Sequence, residues 1–259
     1  MRLDQYLVQH EYCTTRARAQ DAIQQQRVYV NDKVIQKNSY YVDEEDCVRV
    51  IEEELSLASR AGFKLYDVLE DFEIDLKDRI CIDVGASTGG FSDVCLKQGA
   101  KLVYAVDVGK DQLLEALKGN PRVINMEGVN CRYLTKEMFS PLPDFACMDV
   151  SFISIKCILP ALLSVLSKKE LVVLVKPQFE AGREYIGKHG VIKNEKVHLQ
   201  VLNDIISYIE TLGVYVHHVK ASSLLGRDGN KEFVVHIKEE ECHKVFPLKQ
   251  IIKEYHTKR

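Results

Sequence analysis

The chain has no Cys-x-x-Cys pair, no apolar run long enough to span a bilayer and no excess of positive charge. Its cysteines, Cys13, Cys47, Cys81, Cys95, Cys131, Cys147, Cys157 and Cys242, are scattered. Without paired ligand spacings they read as buried or surface thiols, and no metal is expected. Cys81 and Cys147 lie inside apolar runs, where a free thiol behaves as a small hydrophobe. The apolar run 171–175 falls far short of the ~20 residues a membrane helix needs. Met1-Arg2-Leu3-Asp4-Gln5 is too polar to open a signal peptide. A reduced, cytoplasmic protein with no membrane partner is therefore expected. The formal net charge of −3 means that any surface for nucleic acid must be local.

What is present is a chain of 259 residues, 46% hydrophobic, enough for a sizeable core and for one large domain or a small one plus a medium one. The first ~50 residues read as a small α+β unit. Leu3, Leu7 and Val8 predict a short helix. Thr14 or Thr15 is placed to cap a second, whose narrow apolar stripe is Ala19, Ala22 and Ile23. Residues 28–30, the turn 31–33 and residues 34–35 predict strand, turn and strand, with further short strands at Val42 and at 48–50. The acidic run Glu52-Glu53-Glu54 reads as a solvated linker. The boundaries expected are 1–54 for this unit, 55–60 for a linker, 61–238 for the main domain and 239–259 for a tail that either docks as a short helix or frays.

Beyond residue 60 apolar runs alternate with amphipathic segments. The runs 80–84, 102–106, 123–126, 145–150, 171–175, 214–219 and 233–237 read as strands. Residues 91–98, 111–117, 155–166 and 196–212 read as helices. Such alternation predicts an α/β fold with a mostly parallel sheet covered on both faces. No helix separates the last two runs, so they should form a hairpin that contributes one antiparallel strand.

The segment Asp83-Val84-Gly85-Ala86-Ser87-Thr88-Gly89-Gly90 follows a predicted strand and precedes a predicted helix. Glycines there let the backbone turn sharply and approach a ligand closely. The next strand ends in Asp107, ~20 residues on, where an acid can bind both hydroxyls of a ribose. The loop is neither GxGxxG nor GxxxxGK[ST], and it lacks the lysine that would hold a β-phosphate. It suits a nucleotide-like cofactor without phosphates, such as S-adenosylmethionine.

Four charged residues border apolar runs, where a charge is costly unless partnered. They are Lys64 in SRAGFK, Asp149 in MDVSF, Lys176 in LVKPQFE and Glu232 in GNKEF. Singly, each has a plain reading: a surface lysine, a helix cap, a loop lysine, a strand-edge charge. Together they suggest two acids and two lysines at one end of the sheet, where open α/β sheets bind ligands. Methyl transfer from a sulfonium needs alignment, and a hydroxyl acceptor must also lose a proton. A lysine beside that hydroxyl could stabilise the developing alkoxide, or take the proton if its own pKa were depressed. Amino-group methylation of bases fits less well, because Asp149-Val150-Ser151-Phe152 has no prolines. Carbon-5 methylation of pyrimidines fits less well because the chain has no Pro-Cys pair.

The motifs MRLDQYL, SRAGFKL, DVGASTGGF, VDVG, MDVSFIS, LVKPQFE and GNKEF resemble the TlyA-type rRNA methyltransferases, also called haemolysins, over about residues 1–238. The resemblance implies an S-four RNA-binding module in 1–54, with Arg2, Arg16, Arg18 and Lys33 toward RNA. Arg27 and Lys37 would extend that local phosphate-binding face. For 61–238 it implies an FtsJ-like, Rossmann-like methyltransferase with a seven-stranded sheet, whose catalytic tetrad falls on Lys64, Asp149, Lys176 and Glu232. Asp83, Gly85, Ser87, Thr88, Gly89, Gly90, Phe91 and Asp149 would contact S-adenosylmethionine. Asp107 would hold its ribose, and Glu127, Gly128, Val129 and Asn130 would flank its adenine.

The implied substrate is cytidine ribose in small-subunit rRNA, and in some members also large-subunit rRNA, so ribosomal RNA or ribosomal subunits are the expected partners. Two departures stand out. Gly109-Lys110-Asp111-Gln112-Leu113 replaces a GYGQL stretch, and Ser222-Ser223-Leu224 replaces a Ser-Pro pair before the last glycine loop. Two rival readings remain: a membrane-active haemolysin, and an RNA-binding protein with an inactive methyltransferase fold.

Overall fold

The computed structural model describes residues 1–13, 15–43, 45–51, 57–187, 190–226 and 228–254. The chain divides into two compact units, Met1–Ser56 and Leu57–Lys258.

The first unit holds helices α1 (Leu3–Gln9) and α2 (Arg16–Gln24) and strands β1 (Val28–Val30), β2 (Lys33–Val34) and β3 (Val48–Val50). Thr15 caps α2, its hydroxyl accepting the Arg18 N–H at 3.3 Å; Thr14 lies outside the described residues. Strands β1 and β2 are joined by Asn31 and Asp32, both at positive φ (50° and 61°), as a two-residue hairpin turn requires. The sheet order is β2-β1-β3, antiparallel throughout. Leu3, Leu7, Ala19, Ala22, Ile23, Val28 and Val30 form its core. Val42, expected in a strand, is buried without forming one; beside it Arg2 and Tyr41 make a single bridge. The acidic run 52–54 and linker residues 55 and 56 lie outside the described residues.

The second unit opens on α3 (Gly62–Leu69) and continues β4 (Ile80–Val84), α4 (Gly90–Lys97), β5 (Leu102–Asp107), α5 (Glu115–Lys118), β6 (Val123–Glu127), β7 (Phe145–Met148), α6 (Leu159–Val165), β8 (Glu170–Val175), α7 (Pro177–Glu180), α8 (Glu195–Thr211), β9 (Tyr215–Ala221), β10 (Phe233–Lys238) and α9 (Leu248–Lys253). Two residues of the stretch read as a linker pack here: Leu57 is buried and the Ala58 N–H donates to Asp93 Oδ2 at 2.7 Å. The tail docks as α9, with Leu248, Ile251 and Ile252 buried.

The seven strands run in the order β6-β5-β4-β7-β8-β10-β9. Pairings from β6 to β8 are parallel. Strand β10 is antiparallel to both its neighbours, so the one reversed strand lies inside the sheet and β9 forms the edge. Chain order reverses between β4 and β7, the switch point where open α/β sheets leave a crevice at the carboxyl ends of their strands. At the other end of the sheet Arg79 ties Asp144 (2.8 Å) to Glu170 (3.0 Å), and Glu170 reaches the buried His236 (3.3 Å).

Two predicted helices are shorter than expected. That predicted at 111–117 is reduced to α5, because Asp111 sits at φ 56° and Glu127 Oε1 captures the N–H groups of Gln112 (2.7 Å) and Leu113 (3.1 Å). That predicted at 155–166 breaks into a short turn at Ile155–Cys157 and then α6. Pro160 has no N–H and its ring would clash with the carbonyl four residues back, so the helix restarts with proline in its first turn. Helices α3 and α7 were not anticipated at all.

Candidate active site

Each strand on the crevice side hands its last residue, or the next one, to the same place. Gly85 follows β4, Asp107 ends β5, Glu127 ends β6, Asp149 follows β7 and Lys176 follows β8. Glu232 precedes β10, but that strand is reversed and its Phe233 pairs with Val175. Its first residue therefore arrives at the end where the parallel strands finish. Lys64 comes from the first turn of α3.

The four charged residues form one connected run. Lys64 Nζ lies 2.6 Å from Glu232 Oε2 and 3.6 Å from Asp149 Oδ2, and Lys176 Nζ lies 2.5 Å from Asp149 Oδ1. Lys176 also donates to Ser151 Oγ at 2.9 Å. Lys64, Lys176 and Glu232 are each less than a tenth exposed. Burial works against the Lys64 charge, but Asp149 and Glu232 together outweigh it, and the pKa of Lys64 is raised above its ordinary value.

The glycine loop abuts this run. A Cβ on Gly85, whose φ is 85°, would stand 2.5 Å from the Asp149 carbonyl oxygen, so only glycine lets the loops after β4 and β7 come this close. Gly89, at φ 94°, ends the loop beside Leu113 and Leu117. Ser87 is exposed and Thr88 half-buried. Asp107 is oriented by two backbone donors, Ser87 N–H to Oδ2 (2.8 Å) and Gly109 N–H to Oδ1 (2.7 Å).

Other predicted contacts lie deeper. Asp83 is buried and accepts both the N–H (2.8 Å) and the hydroxyl (2.7 Å) of Ser92 on Oδ2, while its buried Oδ1 has no hydrogen-bond partner among the described residues. Burial pushes its carboxyl up to about 7, against the pull of the Ser92 bonds. Phe91 is core, and Gly90 faces Ser59 and Gly62. Both shape the loop from beneath.

Of the predicted adenine flank, Glu127 spends one oxygen on Gln112 and Leu113 and accepts from Asn125 on the other. The two backbone N–H groups hold its carboxyl down at about 2. Gly128 and Val129 bond back to the Gly109 and Asp107 carbonyls, and Asn130 caps the turn Cys131–Tyr133. Lys110, in the departing GKDQL stretch, lies over Gly128.

Sequence reading missed two residues, one in the segment after Asp149 and one that bonds to that segment. Phe152 is 92% exposed at φ 64°, a conformation that is an outlier for a bulky side chain, and its ring lies 5.1 Å from that of Phe179. Glu180 reaches across from α7 to Ser154 and Ile155. Burial pushes its carboxyl up, opposed by those two bonds. An aromatic inside MDVSFIS and an acid inside LVKPQFE are visible in one dimension, but nothing near them in sequence names their partners.

In the first unit, Asp4 was also missed. It is fully buried and receives Arg2 (3.0 and 3.1 Å), Arg16 (2.9 Å) and Gln20 (3.0 Å), and Arg2 holds its carboxyl well below the ordinary range. Arg2 and Arg16 are thus fixed by one acid while keeping a third to a half of their side chains exposed. Arg27 bonds Gln25 at 2.9 Å. Arg18 is half-buried, and Lys33 and Lys37 are exposed.

Residues 57–239 match the FtsJ-like methyltransferase family, and residues 1–48 the S4 domain. The chain belongs to the FtsJ-like methyltransferase family. YqxC of Bacillus subtilis is 43% identical over 91% of this chain and 85% of its own length. The 16S/23S rRNA (cytidine-2'-O)-methyltransferase TlyA of Mycobacterium tuberculosis is 36% identical over 90% of this chain and 87% of its own. A solved structure from Streptococcus thermophilus that carries the hemolysin name is 39% identical, with a TM-score of 0.77 over 97% of this chain and 94% of that one. Among the described residues no helix is long and apolar enough to cross a membrane, and no group of three or more His, Cys, Asp or Glu is placed to hold a metal ion.

Proposed function

We propose that this chain transfers a methyl group from S-adenosylmethionine to the 2'-hydroxyl of a cytidine ribose in ribosomal RNA, with Lys64, Asp149, Lys176 and Glu232 as its working tetrad. The observation that carries the reading is the connected run Glu232–Lys64–Asp149–Lys176 set directly against Gly85. The relative named as a cytidine-2'-O-methyltransferase supports the substrate class.

The residues fit the cofactor. Gly85 leaves a cradle that a Cβ would fill, Asp83 keeps a buried carboxylate oxygen unpartnered beneath it, and Asp107 presents an oriented carboxylate at the end of β5. Gly85, Ser87, Thr88 and Asp107 would hold it, with Gly128 and Val129 along its base and Gly89, Gly90 and Phe91 supporting the turn. When bound, it supplies a methyl group already activated on a sulfonium.

The tetrad divides the remaining work. Lys64, held charged by two carboxylates, fixes Asp149 and Glu232 in place and is no base. Lys176 faces the acceptor: its contact with Ser151 already sets an alcohol oxygen 2.9 Å from Nζ, and a ribose hydroxyl in the same relation would be oriented there. That oxygen would take the methyl carbon while the methyl–sulfur bond breaks and leaves its electron pair on sulfur as a neutral thioether; the hydroxyl proton would go to water, and Lys176, steadied by Asp149, would stabilise the charge that develops on oxygen. The 2'-hydroxyl itself marks the substrate as RNA.

In the first unit, Arg2, Arg16, Arg18, Arg27, Lys33 and Lys37 form the proposed phosphate-binding face. Binding there should fall steeply with salt. The decisive assay is transfer of tritiated methyl to small and large ribosomal subunits, separately, from a strain lacking this gene. Label that blocks alkaline cleavage after one ribose is expected. Absence of label on both subunits, with cofactor bound, would remove the ribosomal assignment.

A further inference from the structure

The segment 149–155 is an arch pinned at both ends by one short stretch of chain. At its first foot Lys176 takes Asp149 Oδ1 at 2.5 Å and donates to Ser151 at 2.9 Å. At its second foot, four residues further along the same stretch, Glu180 takes the Ser154 hydroxyl on Oε2 at 2.5 Å and the Ile155 N–H on Oε1 at 2.8 Å. Ser154 Oγ in turn accepts the Lys156 N–H at 3.2 Å, closing the turn that ends the arch. Between the feet stands Phe152, outward and at positive φ, with Phe179 beside it. Backbone held in so disfavoured a region persists only when its surroundings over-determine it. The surroundings here are these two clamps.

We propose that Glu180 is a positioning residue for the acceptor side of the site: by gripping Ser154 and Ile155 it holds the arch in the one shape that presents Phe152 to a nucleobase while Asp149 stays on Lys176. The proposal rests on reading this face as the side where RNA enters. Both Glu180 oxygens are engaged by Ser154 and Ile155, so its loss should spare cofactor affinity and damage the alignment of RNA.

The chain has no tryptophan, so Phe152→Trp supplies a single reporter on the arch, readable without RNA and without turnover. In that background Glu180→Ala should lower tryptophan anisotropy toward that of a mobile side chain and increase acrylamide quenching. Its S-adenosylmethionine affinity, by calorimetry, should stay within about two-fold, while kcat/KM on ribosomal subunits falls by about 10²-fold, the cost of a small misplacement of reacting groups.

Glu180→Gln should rescue both readouts, because its carbonyl accepts from Ile155 and its amide donates to the Ser154 hydroxyl. Ser154→Ala should reproduce part of the Glu180→Ala effect, and the double variant should be no worse than Glu180→Ala, as coupled residues require. Ser154→Ala also keeps the question open to experiment if Glu180→Ala does not fold. Unchanged anisotropy in Glu180→Ala, failure of Glu180→Gln to rescue, or additive losses would overturn the proposal. If no RNA is methylated by the parent protein, the functional reading fails by itself, and the anisotropy arm still decides whether Glu180 holds the arch.

Discussion

Lys64 and Glu232 stand 168 positions apart in the chain and meet in a buried 2.6 Å ion pair. Removing one member of such a pair strands the other charge and costs about 3–5 kcal/mol, whereas replacing both by apolar groups is often neutral. Glu232→Ala should therefore destabilise the second unit by an amount in that range in urea unfolding, tempered by Asp149, which remains 3.6 Å from Lys64. The double variant Lys64→Met/Glu232→Leu should regain most of the stability and none of the methyl transfer. Regained activity in the double variant would show that the pair serves folding alone.

Lys176→Ala tests the chemistry. Asp149 keeps only the 3.6 Å contact to Lys64 in that variant, the same contact that tempers Glu232→Ala, so a comparable loss of stability is expected. Methyl transfer should fall by roughly 10²–10⁴-fold, the usual cost of losing an acid–base or charge-stabilising group. RNA affinity should stay near the parent value, measured at a temperature where the variant is fully folded. Parent-rate transfer by the purified variant would sink the proposed role.

How far the site was legible follows from where its information lies. Asp149 and Lys176 terminate apolar runs, and a run that ends in a charge is visible in one dimension, as is the glycine turn after residue 84. That Glu232 joins them depends on β10 inserting between β8 and β9 with its direction reversed. The bare expectation of a hairpin did not say this. Helix α3 was hidden because its cap position is Ala61, which has no side-chain bond to give, and because a glycine opens it. The loop at 111–114 looked helical because nothing nearby in sequence announces that Glu127 will take its N–H groups. Asp4 and Glu180 were not singled out from the sequence, since their meaning lies in partners brought by other segments.

Asp83 gives stability a dependence on pH. Its carboxyl is pushed up to about 7 by burial in the native protein, while the unfolded chain holds an ordinary carboxyl near 4. Between those values the folded state binds the extra proton, so the Asp83 contribution to stability is fully present below about pH 4, declines as pH rises toward 7, and levels off above. Each pH unit across that window is worth about 1.4 kcal/mol, so the decline is on the order of a few kcal/mol. Asp83→Asn mimics the protonated form, keeps an acceptor for Ser92, and should flatten the profile. Because His198, His218 and His236 are held below their ordinary pKa by burial and add stability as pH rises, the check is the difference in urea midpoint between the parent and Asp83→Asn at pH 5 and pH 8: a difference that does not change with pH would contradict it.

Phe152 sets stability against function. A bulky residue at φ 64° stores about 1–3 kcal/mol of backbone strain, and glycine at that position releases it, less the 0.5–1 kcal/mol or so that glycine loses in unfolded-state entropy. Phe152→Gly should thus recover up to about 2.5 kcal/mol net of that entropy, offset in part by the lost ring contact to Phe179, while Phe152→Ala, which loses the same contact and stays strained, should be less stable than Phe152→Gly. Both remove the exposed ring, and stacking on one base is worth about 1–3 kcal/mol, so both should bind RNA roughly 5- to 150-fold more weakly. The order of stabilities tests the strain, and the shared loss of RNA affinity tests the contact. If Phe152→Gly unfolds at a lower urea concentration than Phe152→Ala by the full entropic cost of glycine, about 0.5–1 kcal/mol, the backbone at 152 stores no strain. If both bind RNA like the parent, the ring stands outside the interface, and the arch exists only to hold Asp149 against Lys176.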